Sequence, residues 1–162
     1  MARKAFYSFH YVPDNWRASQ VRNMWVIEGN QPATDNDWET VKSRGDSAIQ
    51  RWIDEQMSGK SVVIVLIGAE TAGRKWINYE IKKGWNDRKG VVGIYIHNLK
   101  NRDEFQSRKG NNPFLSVGNS TIATAVKTYD PPYTNSQYVH DHIKNNLSTW
   151  IEEAIQLRGC YA

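Results

Sequence analysis

The run Ser61-Val62-Val63-Ile64-Val65-Leu66-Ile67 constrains this chain more than any other stretch, because every side chain after Ser61 is apolar. A strand with no polar side must be covered on both faces, which is the position of a central strand in a parallel sheet. Val91-Val92-Gly93-Ile94-Tyr95-Ile96-His97 repeats the pattern. Between the two runs, Ile77, Ile81 and Trp85 recur every four residues. They predict a helix from about Lys75 to Arg88, with Gly90 as its stop.

The rest of the chain alternates in the same way. Lys4 to Tyr11 is aromatic-rich and reads as the first strand, ended by Pro13. Asp14 or Asn15 then caps a helix running to about Met24. Trp25-Val26-Ile27 is a short second strand, and Gln31 to Arg44 is mostly loop. From Asp46, the apolar residues Ile49, Trp52, Ile53 and Met57 predict a helix closed by Ser58-Gly59-Lys60. After the fourth strand, residues 98–113 form a polar surface loop, and Thr121 to Tyr129 alternates as a fifth strand. Asp130-Pro131-Pro132 breaks it. A last helix runs from Asn135 or Ser136 to about Leu157, on the stripe Ile143, Leu147, Trp150, Ile151, Ala154 and Leu157. Strands and helices in alternation argue a single α/β domain over residues 1–162. The fold class is flavodoxin-like: a five-stranded, mostly parallel sheet with helices on both faces.

With 162 residues the chain can bury an ordinary core unaided. Its 21 basic and 17 acidic residues leave a charge of +4, which suits a small anionic ligand. No block of five like charges occurs, so no nucleic-acid arm is present and no nucleic acid is expected as a partner. Cys160 is the only cysteine and makes no internal disulfide. No secretory leader opens the chain and no apolar run approaches the ~20 residues that span a bilayer, so a soluble, cytoplasmic protein with no membrane partner is expected.

Several chemistries lack their motifs. There is no GxGxxG or GxxxxGK[ST] to cradle phosphate, and no GxSxG elbow for a serine nucleophile. His140 and His142, two apart on a helix, point to different faces, which argues against a metal site there. Strands one, three and four end in His-Tyr, Ile-Gly and His-Asn, without the acidic cluster of an aspartyl phosphoacceptor.

What remains lies at the carboxyl ends of the strands, where ligands collect in such sheets. His10 and His97 both fall there. Trp76 and Glu80 open the helix after the third strand and, four apart, share a face. That face is expected to be distinct from the Ile77-Ile81-Trp85 stripe and to meet Ser8, Phe9 and His10 from the first strand. Two readings of Glu80 stand at this point. It pairs with Lys83, Lys75 or Arg74 as a surface carboxylate, or it grips ribose hydroxyls beside a ring plate and stabilises an oxocarbenium-like centre.

The same residues carry a resemblance. Phe6-Tyr7-Ser8-Phe9-His10-Tyr11 resembles the first box of TIR domains, and Trp76-Ile77-Asn78-Tyr79-Glu80-Ile81 resembles their tryptophan–glutamate box. Asp35-Asn36-Asp37-Trp38-Glu39 and Gly45-Asp46 sit where TIR domains have the loop leading into the second helix. From about residue 3 to 157 the chain is similar to the TIR-like ThsB component of the bacterial Thoeris anti-phage system. The resemblance implies an NAD⁺-consuming glycosyl hydrolase/cyclase, with NAD⁺ as substrate and no separate cofactor. On it, Glu80 is catalytic, Trp76 walls the nucleotide, Ser8, Phe9 and His10 line the nicotinamide–ribose side, and Asp37 joins the substrate-binding set. It also implies release of nicotinamide and a cyclic ADP-ribose-type signal made during phage infection. The implied partners are an effector enzyme reached by that signal, a phage component as trigger, and a homo-oligomer. Two departures stand out: His10 and Tyr11 replace the arginine common just past the first strand, and Ile77 replaces the cysteine that often follows the box tryptophan. A non-catalytic TIR-like module acting by self-association is the alternative from another class.

Overall fold

The computed structural model describes residues 3–24 and 44–162. Four strands, β1 (Ala5–Ser8), β2 (Val62–Ile67), β3 (Gly90–Tyr95) and β4 (Lys127–Tyr129), pair in the order β1-β2-β3-β4 and are parallel at every junction. Among the described residues five α-helices accompany them: α1 (Tyr11–Met24), α2 (Asp46–Met57), α3 (Lys75–Asn86), α4 (Ser120–Ala125) and α5 (Ser136–Gly159).

The apolar run is the strand between two cores. Side chains alternate across a strand, so Val62, Ile64 and Leu66 enter one core with Ala18 and Val21 of α1 and Ile143, Leu147 and Ile151 of α5. Val63, Val65 and Ile67 enter a second core with Ile49 and Ile53 of α2 and Ile77 and Ile81 of α3. All six β2 side chains are fully buried. At about 1.5–3 kcal/mol gross for each large aliphatic side chain removed from water, this strand is the main apolar anchor of both layers.

The expected five strands are four among the described residues. The expected strand Trp25-Val26-Ile27 lies outside those residues, as does most of the expected loop, residues 31–43. The order of the four is that of a flavodoxin-like sheet without its edge strand. Other boundaries moved for physical reasons. The first strand stops at Ser8, and Pro13 sits inside α1, because the first turn of a helix has no partner for the N–H that proline lacks. The first α1 bond runs from the Asp14 N–H to the His10 carbonyl at 3.1 Å, so Asp14 is not the cap. Its carboxylate instead accepts from Arg17 Nη1 at 3.0 Å. Residues 121–125 are helical rather than extended. Ile122 and Ala125, three apart, are buried together, and the Asn119 side chain caps the turn by accepting from the Ile122 N–H at 3.0 Å.

The loop 98–113 is pinned along its length. Arg17 donates to the Leu99 and Phe105 carbonyls, each at 2.8 Å, and the Ser107 N–H donates to the His97 carbonyl at 2.8 Å. Gly110 lies so close to the loop after β2 that a Cβ there would stand 2.1 Å from the Gly68 carbonyl oxygen. No helix among the described residues is long and apolar enough to cross a membrane.

Gly84 lets α3 lie close on the sheet, since its Cβ would stand 2.5 Å from Val63 Cγ2. Helix propensity alone makes Gly84→Ala stabilising by about 1 kcal/mol, whereas overpacking costs about 1–3 kcal/mol. We expect a net loss of stability in urea unfolding. A variant as stable as the parent, or more so, contradicts the close packing of α3 on β2.

Candidate active site

Alternation in β1 decides where the site begins. Phe6 belongs to the core shared with α2 and α3, and Ser8, two residues on, points to the same side. Ser8 is 1% exposed, so its hydroxyl must find a partner inside the protein. On α3 the inward residues are Ile77, Glu80, Ile81, Gly84 and Trp85. Glu80 therefore lies on the edge of the buried stripe, not on a separate face as the spacing suggested. The two buried polar groups meet: Ser8 Oγ donates to Glu80 Oε1 at 2.6 Å. That distance is in the range of a hydroxyl bonded to an ionised carboxylate. The lysines offered as ion-pair partners are engaged elsewhere, with Lys83 Nζ 2.9 Å from Asp87 and Lys75 donating to Asp46.

Glu80 is 9% exposed, and it contributes to the wall of a cavity of about 470 Å³. Phe9 and His10 enter that wall from the turn after β1, Ile53 from α2, and Glu70 and Ala72 from the loop after β2. Residues 73–77 supply the remaining side. Arg74 precedes α3 in extended backbone with no side-chain cap, and the first turn carries no acidic residue. The helix therefore brings the positive end of its dipole to the cavity, with first-turn N–H groups that no side chain among the described residues caps.

Trp76 is the plate of this wall. Tyr79 meets it edge to face at 5.7 Å, and the Lys75 ammonium lies 5.0 Å from its ring centre. Tyr79 in turn donates its hydroxyl to Asp54 Oδ1 of α2 at 2.6 Å, which fixes the support of the plate to a second helix. On its other side Trp76 walls a second cavity of about 450 Å³, with Gln50, Asn78 and Lys82.

Phe9, His10, Trp76 and Glu80 are thus brought together around one cavity. Ser8 stands behind Glu80 and reaches the cavity only through that carboxylate. Asp37 lies outside the described residues. Sequence reasoning did not single out Glu70, Arg74 or Ile53 as wall residues. For Arg74 a signal was present: a helix starting without Ser, Thr, Asp or Asn before it leaves its first N–H groups to a ligand. His97 is buried, which lowers its pKa, and it is not part of this cavity.

Residues 6–101 match the family model described as "Thoeris protein ThsB, TIR-like domain". Over 123 residues the chain is 37% identical to a Bacillus cereus (strain MSX-D12) protein named "Putative cyclic ADP-D-ribose synthase ThsB1". The match covers 73% of this chain and 64% of the relative, slightly less than two thirds of the relative's length.

Burial and the bond to Asp54 push the Tyr79 phenol up to about 12. The folded state holds this proton more tightly than an unfolded chain with an ordinary tyrosine pKa near ~10. The stabilisation is therefore complete below about pH 10 and lost as pH rises towards 12. Tyr79→Phe should cost about 1 kcal/mol at pH 8, with the deficit narrowing above pH 10. Urea unfolding of both proteins at pH 8 and pH 11.5 checks this, and a deficit independent of pH contradicts it.

Proposed function

The chain belongs to the TIR-like family of the Thoeris protein ThsB, and on that premise we propose that it is an NAD⁺-consuming enzyme of the glycosyl hydrolase/cyclase type. The observation that carries this reading is a buried carboxylate, Glu80, held by Ser8 and presented to a cavity beside the Trp76 ring. The N-glycosidic bond of NAD⁺ joins a ribosyl carbon to a cationic pyridinium. When it breaks, the electron pair moves to the ring nitrogen and neutral nicotinamide leaves, so no general acid is required. Positive charge grows on the ribosyl carbon and ring oxygen. A fixed carboxylate in a site poor in water stabilises that charge more than bulk water would. Ser8 acts as a positioning residue, because its bond fixes the carboxylate before the charge develops.

The positive end of α3 and Arg74 suit the diphosphate of the same substrate, and this replaces the missing glycine-rich cradle. The apolar parts of the wall, Phe9, Ile53 and Ile77, restrict water at the reacting carbon. With water kept out, a hydroxyl of the same ADP-ribose can add to the ribosyl carbon and lose its proton to Glu80, giving a cyclic product. The name of the Bacillus cereus relative points to a product of this class. We take the product to be a diffusible signal made on phage infection that activates an effector enzyme.

Glu80→Gln keeps the shape and removes the charge. We expect NAD⁺ turnover to fall roughly 10²–10³-fold, the loss typical of one removed electrostatic stabiliser. Infected cells carrying the variant should make no ADP-ribose-derived signal and lose protection. Undiminished turnover overturns the enzymatic reading. Protection that persists without turnover favours a non-catalytic module acting by self-association.

Ser8→Ala separates positioning from binding. We expect kcat to fall about tenfold or more with KM nearly unchanged, because the lost bond acts on the carboxylate and not on the substrate. A change confined to KM would place Ser8 against the substrate instead.

A further inference from the structure

The carboxyl rim of the sheet has two halves, and the Glu80 cavity uses only the half at β1 and β2. At the other half, His97 follows β3, Asp130 follows β4, and the chain passes Tyr133 before entering α5, whose first turn carries Tyr138. Tyr133 and Tyr138 meet edge to face at 5.8 Å, yet remain 44% and 58% exposed. A shallow, open depression lies on each side of this pair. One, of about 550 Å³, contains His97, Asn98 and Asp130 in its wall. The other, of about 360 Å³, contains Asp141, His142 and Asn145. Both include the two tyrosines.

The shelf is built rather than incidental. Asn98 Nδ2 donates to the Tyr133 carbonyl at 3.1 Å, and Gln106 Nε2 donates to the Asn98 and Thr134 carbonyls at 2.8 and 2.5 Å. His142 stands between Tyr133 at 5.8 Å and Trp150 at 5.7 Å. His97 is 7% exposed, and its Nδ1 has no hydrogen-bond partner among the described residues. A buried imidazole nitrogen without a partner is costly unless something satisfies it.

The lining also selects a ligand class. Among the described residues neither wall contains a lysine or arginine. Lys109, a nearby cation, is held 2.9 Å from Asp130 and 4.6 Å from the Tyr95 ring centre. The start of α5 is already capped, because Asn135 Oδ1 accepts from the Gln137 and Tyr138 N–H groups. Asp141 has no cation in its wall among the described residues, and the one beside Asp130 is already engaged by it, so neither depression offers a free cation to a phosphate. Aromatic faces stack flat rings, while carboxylates and amides accept and donate to vicinal hydroxyls. We propose that the Tyr133–Tyr138 shelf is a second ligand site, separate from the Glu80 cavity, for a neutral nucleoside. The base stacks on the tyrosines and the ribose hydroxyls bond Asp130 or Asp141. The site goes beyond the NAD⁺-consuming reading and does not depend on it.

Calorimetric titration of the full chain with adenosine tests this. Saturable binding is expected, weakened at least tenfold in Tyr138→Ala, retained in Tyr138→Phe, and changed less than twofold in Glu80→Gln. Because Tyr138 is exposed, loss of its ring should leave the circular dichroism spectrum unchanged. AMP should bind more weakly than adenosine, and ribose alone should not saturate. The proposal is overturned by absence of saturable adenosine binding, or by binding lost in Glu80→Gln but kept in Tyr138→Ala. AMP binding tighter than adenosine, or ribose binding as tight, overturns it as well.

Discussion

A carboxylate can sit at the edge of an apolar layer only if a partner holds it there, and the bond from Ser8 to Glu80 is the point on which this structure turns. The bond exists because of register. β1 lies beside β2 with Ser8 opposite Val65, so the serine points into the layer occupied by α3. Shifting β1 by one residue would turn Ser8 to the other core and bring an aromatic ring against Glu80. The central apolar strand therefore does more than supply burial. Its pairing with β1 sets which side of the sheet receives a hydroxyl.

Close backbone approaches complete the geometry. Gly84 brings α3 down onto Val63, which determines how deep Glu80 lies. Gly68 lies against the Asp14 carboxylate, and Gly110 lies against Gly68 and Ala69. Asp14 is buried, which pushes its carboxyl up, and Arg17 opposes that shift. The same arginine holds the loop 98–113 through two carbonyls. The loop after β2, the start of α1 and the loop after β3 thus form one packed rim, with the Glu80 cavity on one side and the tyrosine shelf on the other.

Much of this was legible in the chain. The runs 61–67 and 91–97 gave the two central strands, and the stripe Ile77, Ile81 and Trp85 gave α3. Phe9, His10, Trp76 and Glu80 can be read from the chain as neighbours, because strand ends and helix starts share one rim in such a sheet. Pro13 was misleading, since proline stops a strand but fits the first turn of a helix equally well. Thr121 to Ala125 was misleading because five small and β-branched residues alternate as well as they coil, and only the cap at Asn119 decides. The spacing sets Glu80 beside Trp76 on a face apart from the Ile77-Ile81-Trp85 stripe, whereas the carboxylate lies on the edge of that stripe. The topology brings Ser8 to that face, but the bond itself joins residues 72 apart in sequence, and periodicity within one helix does not show it.

The division of labour between apolar and polar residues follows from these facts. Burial of β2 and its neighbours is non-directional, so it specifies the layers but would tolerate many exchanges of aliphatic side chains. The rim is different. A buried carboxylate left without its donor costs about 1–3 kcal/mol or more, and the loss falls at the cavity itself. Ser8, Asp14 and Arg17 are therefore held to narrower tolerances than Val63 or Ile64, although the aliphatic residues bury more surface. Trp76 falls between the two regimes. Its ring packs against the α2–α3 core, yet its position depends on one directional bond from Tyr79 to Asp54. A plate supported in this way can be displaced by loss of a phenol that never touches the cavity.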